Sequence, residues 1–145
     1  MTQKDDFDLQ QFLPYLLNQA AEASSLRFQQ IYKGRYGILR TEWRVLFHLG
    51  IYGAMTARDI GLRSKMHKTK ISRAVQRLAA RRFITRTGDD NDRRQEWLAL
   101  TAQGRAAYVD LREIAMGYDA KLSADLTPAE NAALRSALAK LAALR

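Results

Sequence analysis

Between residues 67 and 100 the hydrophobic periodicity of this 145-residue chain changes once, and that change does most to restrict the fold. Ile71, Ala74, Val75 and Leu78 recur at helical spacing, which predicts a helix with one buried side from about His67 to Arg81. Its other side carries Lys70, Arg73 and Arg77. Directly afterwards come two short β-compatible runs, Phe83-Ile84-Thr85-Arg86-Thr87 and Gln95-Glu96-Trp97-Leu98-Ala99-Leu100, separated by the polar stretch from Gly88 to Arg94. Together they predict a β-hairpin with a charged tip.

Helical patterns flank this segment. Leu13, Leu16, Leu17, Ala20 and Ala23 continue through Phe28 and Ile31, with Pro14 acceptable in a first turn and Lys33, Gly34 and Gly37 as the end. Thr41 is expected to cap a second helix that turns Trp43, Leu46, Phe47 and Leu49 inward. Thr56, with Asp59 three residues on, opens a short third helix, and Arg63-Ser64-Lys65 marks a turn. Beyond the hairpin Thr101 caps a long fifth helix, in which Tyr108, Leu111, Ala115, Tyr118 and Leu122 follow heptad spacing. Thr127-Pro128-Ala129-Glu130 begins a sixth, bearing Leu134, Leu138, Leu141 and Leu144.

The charge is unevenly spread. Of the net +9, residues 1–56 contribute six basic against five acidic side chains and residues 106–145 five of each. Residues 57–105 hold thirteen basic and five acidic, a net of +8 in 49 residues. One subregion is therefore built to meet a polyanion while its flanks serve another purpose. The chain has no cysteine, which excludes disulfides, thiolate zinc sites, iron–sulfur clusters, cysteine nucleophiles and thiol redox sensing. With only His48 and His67 as imidazoles, no metal site is expected, and no cofactor. No nucleophile–base pair or phosphate loop points to catalytic residues, so the chain is not expected to be an enzyme. The acidic N-terminus and the absence of a long apolar run imply a cytoplasmic protein with no membrane partner.

A short helix, a tight turn, a helix with a basic outer face and a hairpin follow one another in the order of a winged helix-turn-helix. A DNA major groove about 12 Å wide admits one helix, whose N-terminal half must offer donors to base edges and phosphates. Here that half offers Lys68, Thr69, Lys70, Ser72 and Arg73. Gly61 suits a close helix crossing and Ile71 falls where the second helix must plug the core. Arg58 and Lys65 are placed for phosphate, as is Arg77 nearer the helix end, and Arg93 or Arg94 at the hairpin tip for the minor groove. His67 is placed to cap the helix or touch phosphate, and His48, inside an apolar helix, is expected to be structural.

Over nearly its whole length the chain resembles the MarR-type transcriptional regulators. The resemblance rests on Thr41-Glu42-Trp43-Arg44-Val45-Leu46, on the helix-turn-helix, on the wing motif Asp92-Arg93-Arg94 and on Leu100-Thr101-Ala102-Gln103-Gly104 opening the long helix. It implies a mainly α fold with a small β-hairpin wing: a winged helix-turn-helix (residues 41–105) with helical dimerisation arms (1–40 and 106–145) in a single domain, 1–145. By the same resemblance Asp92 orients the wing, Arg94 anchors in the minor groove and Arg93 meets phosphate. Leu13, Leu16, Leu17, Tyr118, Leu122, Leu134, Leu138 and Leu141 would face a second copy, giving a homodimeric repressor on a near-palindromic stretch of double-stranded DNA. A small-molecule effector would enter the cleft between arms and winged domain, where helix order places Tyr32, Trp43, His48 and Tyr108. Two positions depart from the pattern: Lys65 in the helix-turn-helix turn and Arg82 before the first wing strand stand where the family usually has glycine. The alternative is an RNA-binding or scaffold protein built on the same basic winged domain. A single-strand reader wants exposed stacking aromatics, and the basic segment has only Phe83 and Trp97, both on strands and both expected to be buried.

Overall fold

The structure, a computed structural model, describes residues 5–144. A 3-10 turn at Leu9–Gln11 leads into α1 (Leu13–Tyr36), α2 (Arg40–Tyr52), β1 (Met55–Thr56), α3 (Ala57–Ser64), α4 (Lys68–Ala80), β2 (Ile84–Gly88), β3 (Glu96–Leu100), α5 (Ala102–Leu122) and α6 (Pro128–Ala142). The helices and the hairpin are those the sequence predicts. The addition is β1, which pairs antiparallel with β3 through Met55 and Leu98 and through Thr56 and Trp97, so the sheet order is β1-β3-β2. Two residues are too few to leave an alternating pattern, which is why the sequence shows only the hairpin.

Most helix starts are set by side chains. The hydroxyls of Thr56, Thr101 and Thr127 accept the amides of Asp59, Gly104 and Glu130, and Glu130 returns its carboxylate to the Thr127 N–H at 2.9 Å. Thr41 is not the cap of α2. The cap position is Leu39, two residues earlier, and the Glu42 carboxylate accepts the Leu39 N–H at 3.2 Å, satisfying that end from inside the first turn. Lys33 and Gly34 lie within α1, which ends only at Gly37, where φ is +65° and the N–H reaches the Lys33 carbonyl at 2.8 Å.

Both departures from glycine keep the left-handed backbone: Lys65 has φ +58° and Arg82 φ +64°. Such a residue costs about 1–2 kcal/mol when it carries a Cβ. At Arg82 the local bonds hold the strain in place. Its N–H donates to the Ala79 carbonyl at 3.0 Å and the Phe83 N–H to the Leu78 carbonyl at 2.9 Å, the crossed pair that closes a helix end. Its own carbonyl accepts the Thr101 hydroxyl at 2.7 Å. Gly104, one turn into α5, sits against the Phe83 carbonyl so closely that a Cβ there would overlap it.

The core runs through Ile38, Val45, Leu46, Leu49, Ile60, Ile71, Leu78, Leu98 and Leu111, joining α2, α3, α4, the sheet and α5. A clasp ties α1 to α5: the Tyr36 hydroxyl donates to Asp110 at 2.5 Å and Arg35 to the same carboxylate at 3.0 Å. The Tyr36 hydrogen bond and the Arg35 charge hold the Asp110 carboxyl below the usual carboxylate range. α6 is different. It has no buried residue, and its links to the rest are the Arg135–Asp119 pair at 3.0 Å and the Lys65 ammonium, which donates to the Ala142 carbonyl.

Arg82→Gly is expected to raise the unfolding midpoint by about 2–4 °C, the net of relieved strain and the added freedom of the unfolded chain. Gly104→Ala should lower stability by about 1–3 kcal/mol through overlap with the Phe83 carbonyl, read by thermal or urea unfolding. An acid titration checks the clasp. The stability contributed by Asp110 is present above its unfolded pKa of about 3.9 and lost as pH falls through its lower folded value, so the midpoint difference between wild type and Asp110→Asn should shrink below about pH 4.

Candidate nucleic-acid interface

α4 presents two unlike sides. Ile71, Ala74, Val75 and Leu78 are buried, whereas Lys68, Thr69, Lys70, Ser72, Arg73, Gln76 and Arg77 are exposed. At 100° per residue Thr69, Arg73 and Gln76 point roughly opposite to the core, while Lys70 and Arg77 lie on one flank, roughly 90–110° from it. Gly61 allows α3 to cross α4 closely: a Cβ there would come within 2.8 Å of the Ile71 Cδ1. His67 is the N-cap, its Nδ1 accepting the Thr69 N–H at 3.2 Å.

Three separate elements converge on one surface. Arg58 from α3, Lys68 from α4 and Arg94 from the wing, with Asp92 and Gln95, line a groove of about 620 Å³ over an apolar floor of Gly61, Leu62, Met66 and Ile71. Asp92 shapes the wing tip by accepting the Arg94 N–H at 3.0 Å, and the Arg94 guanidinium, 92% exposed, stays in reach of solvent. Arg93 is exposed beside it. Arg86 is committed within the wing to a forked pair with Glu96 at 2.7 and 3.1 Å, and this hydrogen bonding holds the Glu96 carboxyl below the usual carboxylate range.

Several expected residues take other positions. The Lys65 ammonium is engaged by the Ala142 carbonyl, and Arg77 lies 3.7 Å from the carboxylate of Glu42. Trp97 is not buried: it is 42% exposed, because Leu98 and Leu100 belong to the other face of the same strand. Phe83 is buried as expected. Gln76 carries no charge to mark it in the sequence; it shares the outermost face of α4 with Arg73 and Thr69, and its amide has the donor–acceptor pair that suits adenine.

The heptad stripe of α5 is largely filled within the chain. Tyr108 and Leu111 are buried and Tyr118 is stacked on Phe28, its hydroxyl donating to the Ser24 carbonyl, so of that stripe only Leu122 is openly exposed. α5 passes over α1 and α2 before it leaves the body, and heptad spacing does not say which neighbour fills it. Leu13, Leu16, Leu134 and Leu138 are exposed and Leu17 and Leu141 half-buried. Tyr32, Trp43 and Tyr108 belong to one aromatic cluster with Phe28 and Phe47, the rings 5.1–5.9 Å apart. Burial pushes the Tyr32 phenol up, and the Trp43 Nε1 is buried without a partner. His48 is not part of this cluster, its Nδ1 lying 2.6 Å from the Arg44 carbonyl and its ring beside Tyr52. Among the described residues no helix is long and apolar enough to cross a membrane.

The sequence model of the MarR family matches residues 36–95. Solved structures match over nearly the full length. A MarR-family regulator from Silicibacter pomeroyi is 29% identical, with a TM-score of 0.79 over 94% of this chain and 99% of that one. BpsR of Bordetella bronchiseptica, whose DNA binding is regulated by 6-hydroxynicotinic acid, is 23% identical, with a TM-score of 0.87 over 97% and 100%. MarR of E. coli, solved with operator DNA, is 21% identical, with a TM-score of 0.82 over 95% and 99%. No curated protein matches the chain.

The wing tip offers a check that needs no ligand. Asp92→Ala should speed hydrogen exchange at the Arg94 amide by about 2–10-fold, measured by NMR, with little change in the global unfolding midpoint.

Proposed function

We propose that the chain is a winged helix-turn-helix transcriptional regulator of the MarR type, that it binds double-stranded DNA in a sequence-specific manner and that it represses transcription as a homodimer, a reading supported by the family match over residues 36–95 and by the fold. The observation that carries this reading is the groove on which Lys68 of α4, Arg58 of α3 and Arg94 of the wing come together, with Arg73 and Gln76 among the other exposed residues of α4. α4 enters the major groove, with Arg73 and Gln76 at base edges and Lys68, Lys70 and Arg58 on phosphates. Arg94 reaches the minor groove beside it.

The exposed leucines of the two chain ends support a second copy as their cover. Residues 1–40 and 106–145 then act as dimerisation arms around a winged unit at 41–105, and two-fold symmetry sets recognition helices about one DNA turn apart on a near-palindrome. By analogy with BpsR, a small organic acid is the expected effector class, acting near the cluster of Tyr32, Trp43 and Tyr108. It shifts the population toward a spacing of the two α4 helices that no longer fits successive grooves. The half-exposed Trp97 favours one second reading, an RNA reader, since it supplies the stacking surface such a protein needs.

Selection of duplexes from a random pool, followed by anisotropy titration against the selected duplex, a random duplex and structured RNA, tests the reading. Tighter and more selective RNA binding would overturn it. Arg73→Ala should weaken the selected duplex by about 10–100-fold and random DNA much less, whereas Arg94→Ala should relax dependence on flanking A·T content. Sedimentation at micromolar concentration should give a dimer. A screen of phenolic and acidic metabolites should find compounds that raise the melting temperature.

A further inference from the structure

Glu42 is a charged side chain with only 2% of its surface exposed. A carboxylate sealed from water is costly unless hydrogen bonds and an opposite charge compensate it. Its Oε2 accepts the Leu39 N–H at 3.2 Å and faces the Arg77 Nη1 at 3.7 Å, on the neighbouring helix α4. Arg77 is on the flank of α4 that leans toward α2, in the last turn, away from the end that carries Lys68 and Thr69. Its side chain remains 53% exposed, so to a reading based on charge alone it looks like a phosphate contact.

We infer that Glu42 and Arg77 are positioning residues: their ion pair sets how α4 sits on α2, and so how Thr69, Arg73 and Gln76 are aimed at the DNA. A helix pinned by an apolar stripe alone can still roll on its neighbour. A charge pair on one flank, anchored to a carboxylate that has no other place to go, removes that freedom. The next residue along α2 extends the consequence. Trp43 enters the aromatic cluster with Phe28 and Tyr32 of α1, 5.5 and 5.9 Å away, while Glu42 holds α4. One turn of α2 thus touches both the arm helix and the recognition helix. A change in the cluster reaches α4 through a displacement of α2, carried by the charge pair between Glu42 and Arg77.

The inference rests on the proposed sequence-specific DNA binding, and the test separates the two. Glu42→Gln keeps an acceptor for the Leu39 N–H but removes the charge. If Glu42 merely occupies a phosphate-binding arginine, this variant frees Arg77 and tightens both selected and random duplexes. Under the positioning role it lowers the ratio of selected to random affinity by about fivefold or more. It also leaves the salt dependence unchanged. Arg77→Ala gives the same loss of ratio with no change in salt slope, whereas loss of a phosphate contact would reduce the slope by about one and leave the ratio intact. Arg77→Lys, which keeps the charge, recovers most of the ratio. The double variant Glu42→Gln/Arg77→Ala is closer to wild type than the sum of the two single changes, because no unpaired buried charge is left. Titrations are run well below each variant's own melting temperature, so that loss of fold is not read as loss of aim. A wild-type protein with no duplex preference overturns the proposed function and this inference with it. A selective wild type whose ratio survives Glu42→Gln overturns the inference alone.

Discussion

The constraint on which the rest depends is that α2 must be covered on nearly every side at once. In thirteen residues it places Val45, Leu46 and Leu49 in the core, Trp43 and Phe47 among the rings of α1 and α5, and Glu42 under α4. A helix with partners on several sides cannot shift toward one without leaving another. α1, α3, α4, α5 and the sheet are consequently packed together through α2.

Much of this was legible in the sequence for a definite reason. The helix of Ile71, Ala74, Val75 and Leu78 and the capped starts at Thr56, Thr101 and Thr127 use local rules, so spacing and side-chain chemistry suffice. The surface that gathers Arg58, Lys68 and Arg94 was legible through charge partition, because an excess of +8 in 49 residues has few other uses. Positions decided by a distant neighbour were not. Heptad spacing marks Tyr108, Leu111 and Tyr118 as contacts without saying whose, and they are met inside the chain. Trp97 is exposed against expectation because a strand's alternation fixes two faces but not which one the core takes. Thr41 lost the cap to Glu42, whose carboxylate reaches the Leu39 amide from within the helix.

The cations fall into two groups once their partners are known. Arg35, Arg86 and Arg135 are tied to Asp110, Glu96 and Asp119, and Arg77 faces Glu42. Lys68, Lys70, Arg73 and Arg93 are exposed on α4 and the wing. Within residues 57–105 the Arg86–Glu96 pair is already balanced in the net +8, so Arg77, whose partner Glu42 lies outside the segment, is the charge among these pairs to subtract from what is available to a polyanion. Lys65 and Arg82 add a further point. Each keeps a backbone conformation that glycine adopts more cheaply, and each places a cation at a turn next to α4.

α6 is a helix without a buried residue. Fifteen residues with a good capping box and many alanines are near the shortest length at which a helix persists in water on its own propensity. At that margin a cover over Leu134 and Leu138 adds to its order, and if that cover is a second copy, the helical content of the chain becomes a function of its concentration. Dilution would melt the C-terminal end before the winged unit notices, and the Ala142 carbonyl that holds the Lys65 ammonium would go with it. The chain would thus carry, at one of its DNA-side turns, a local record of how many copies of itself are present.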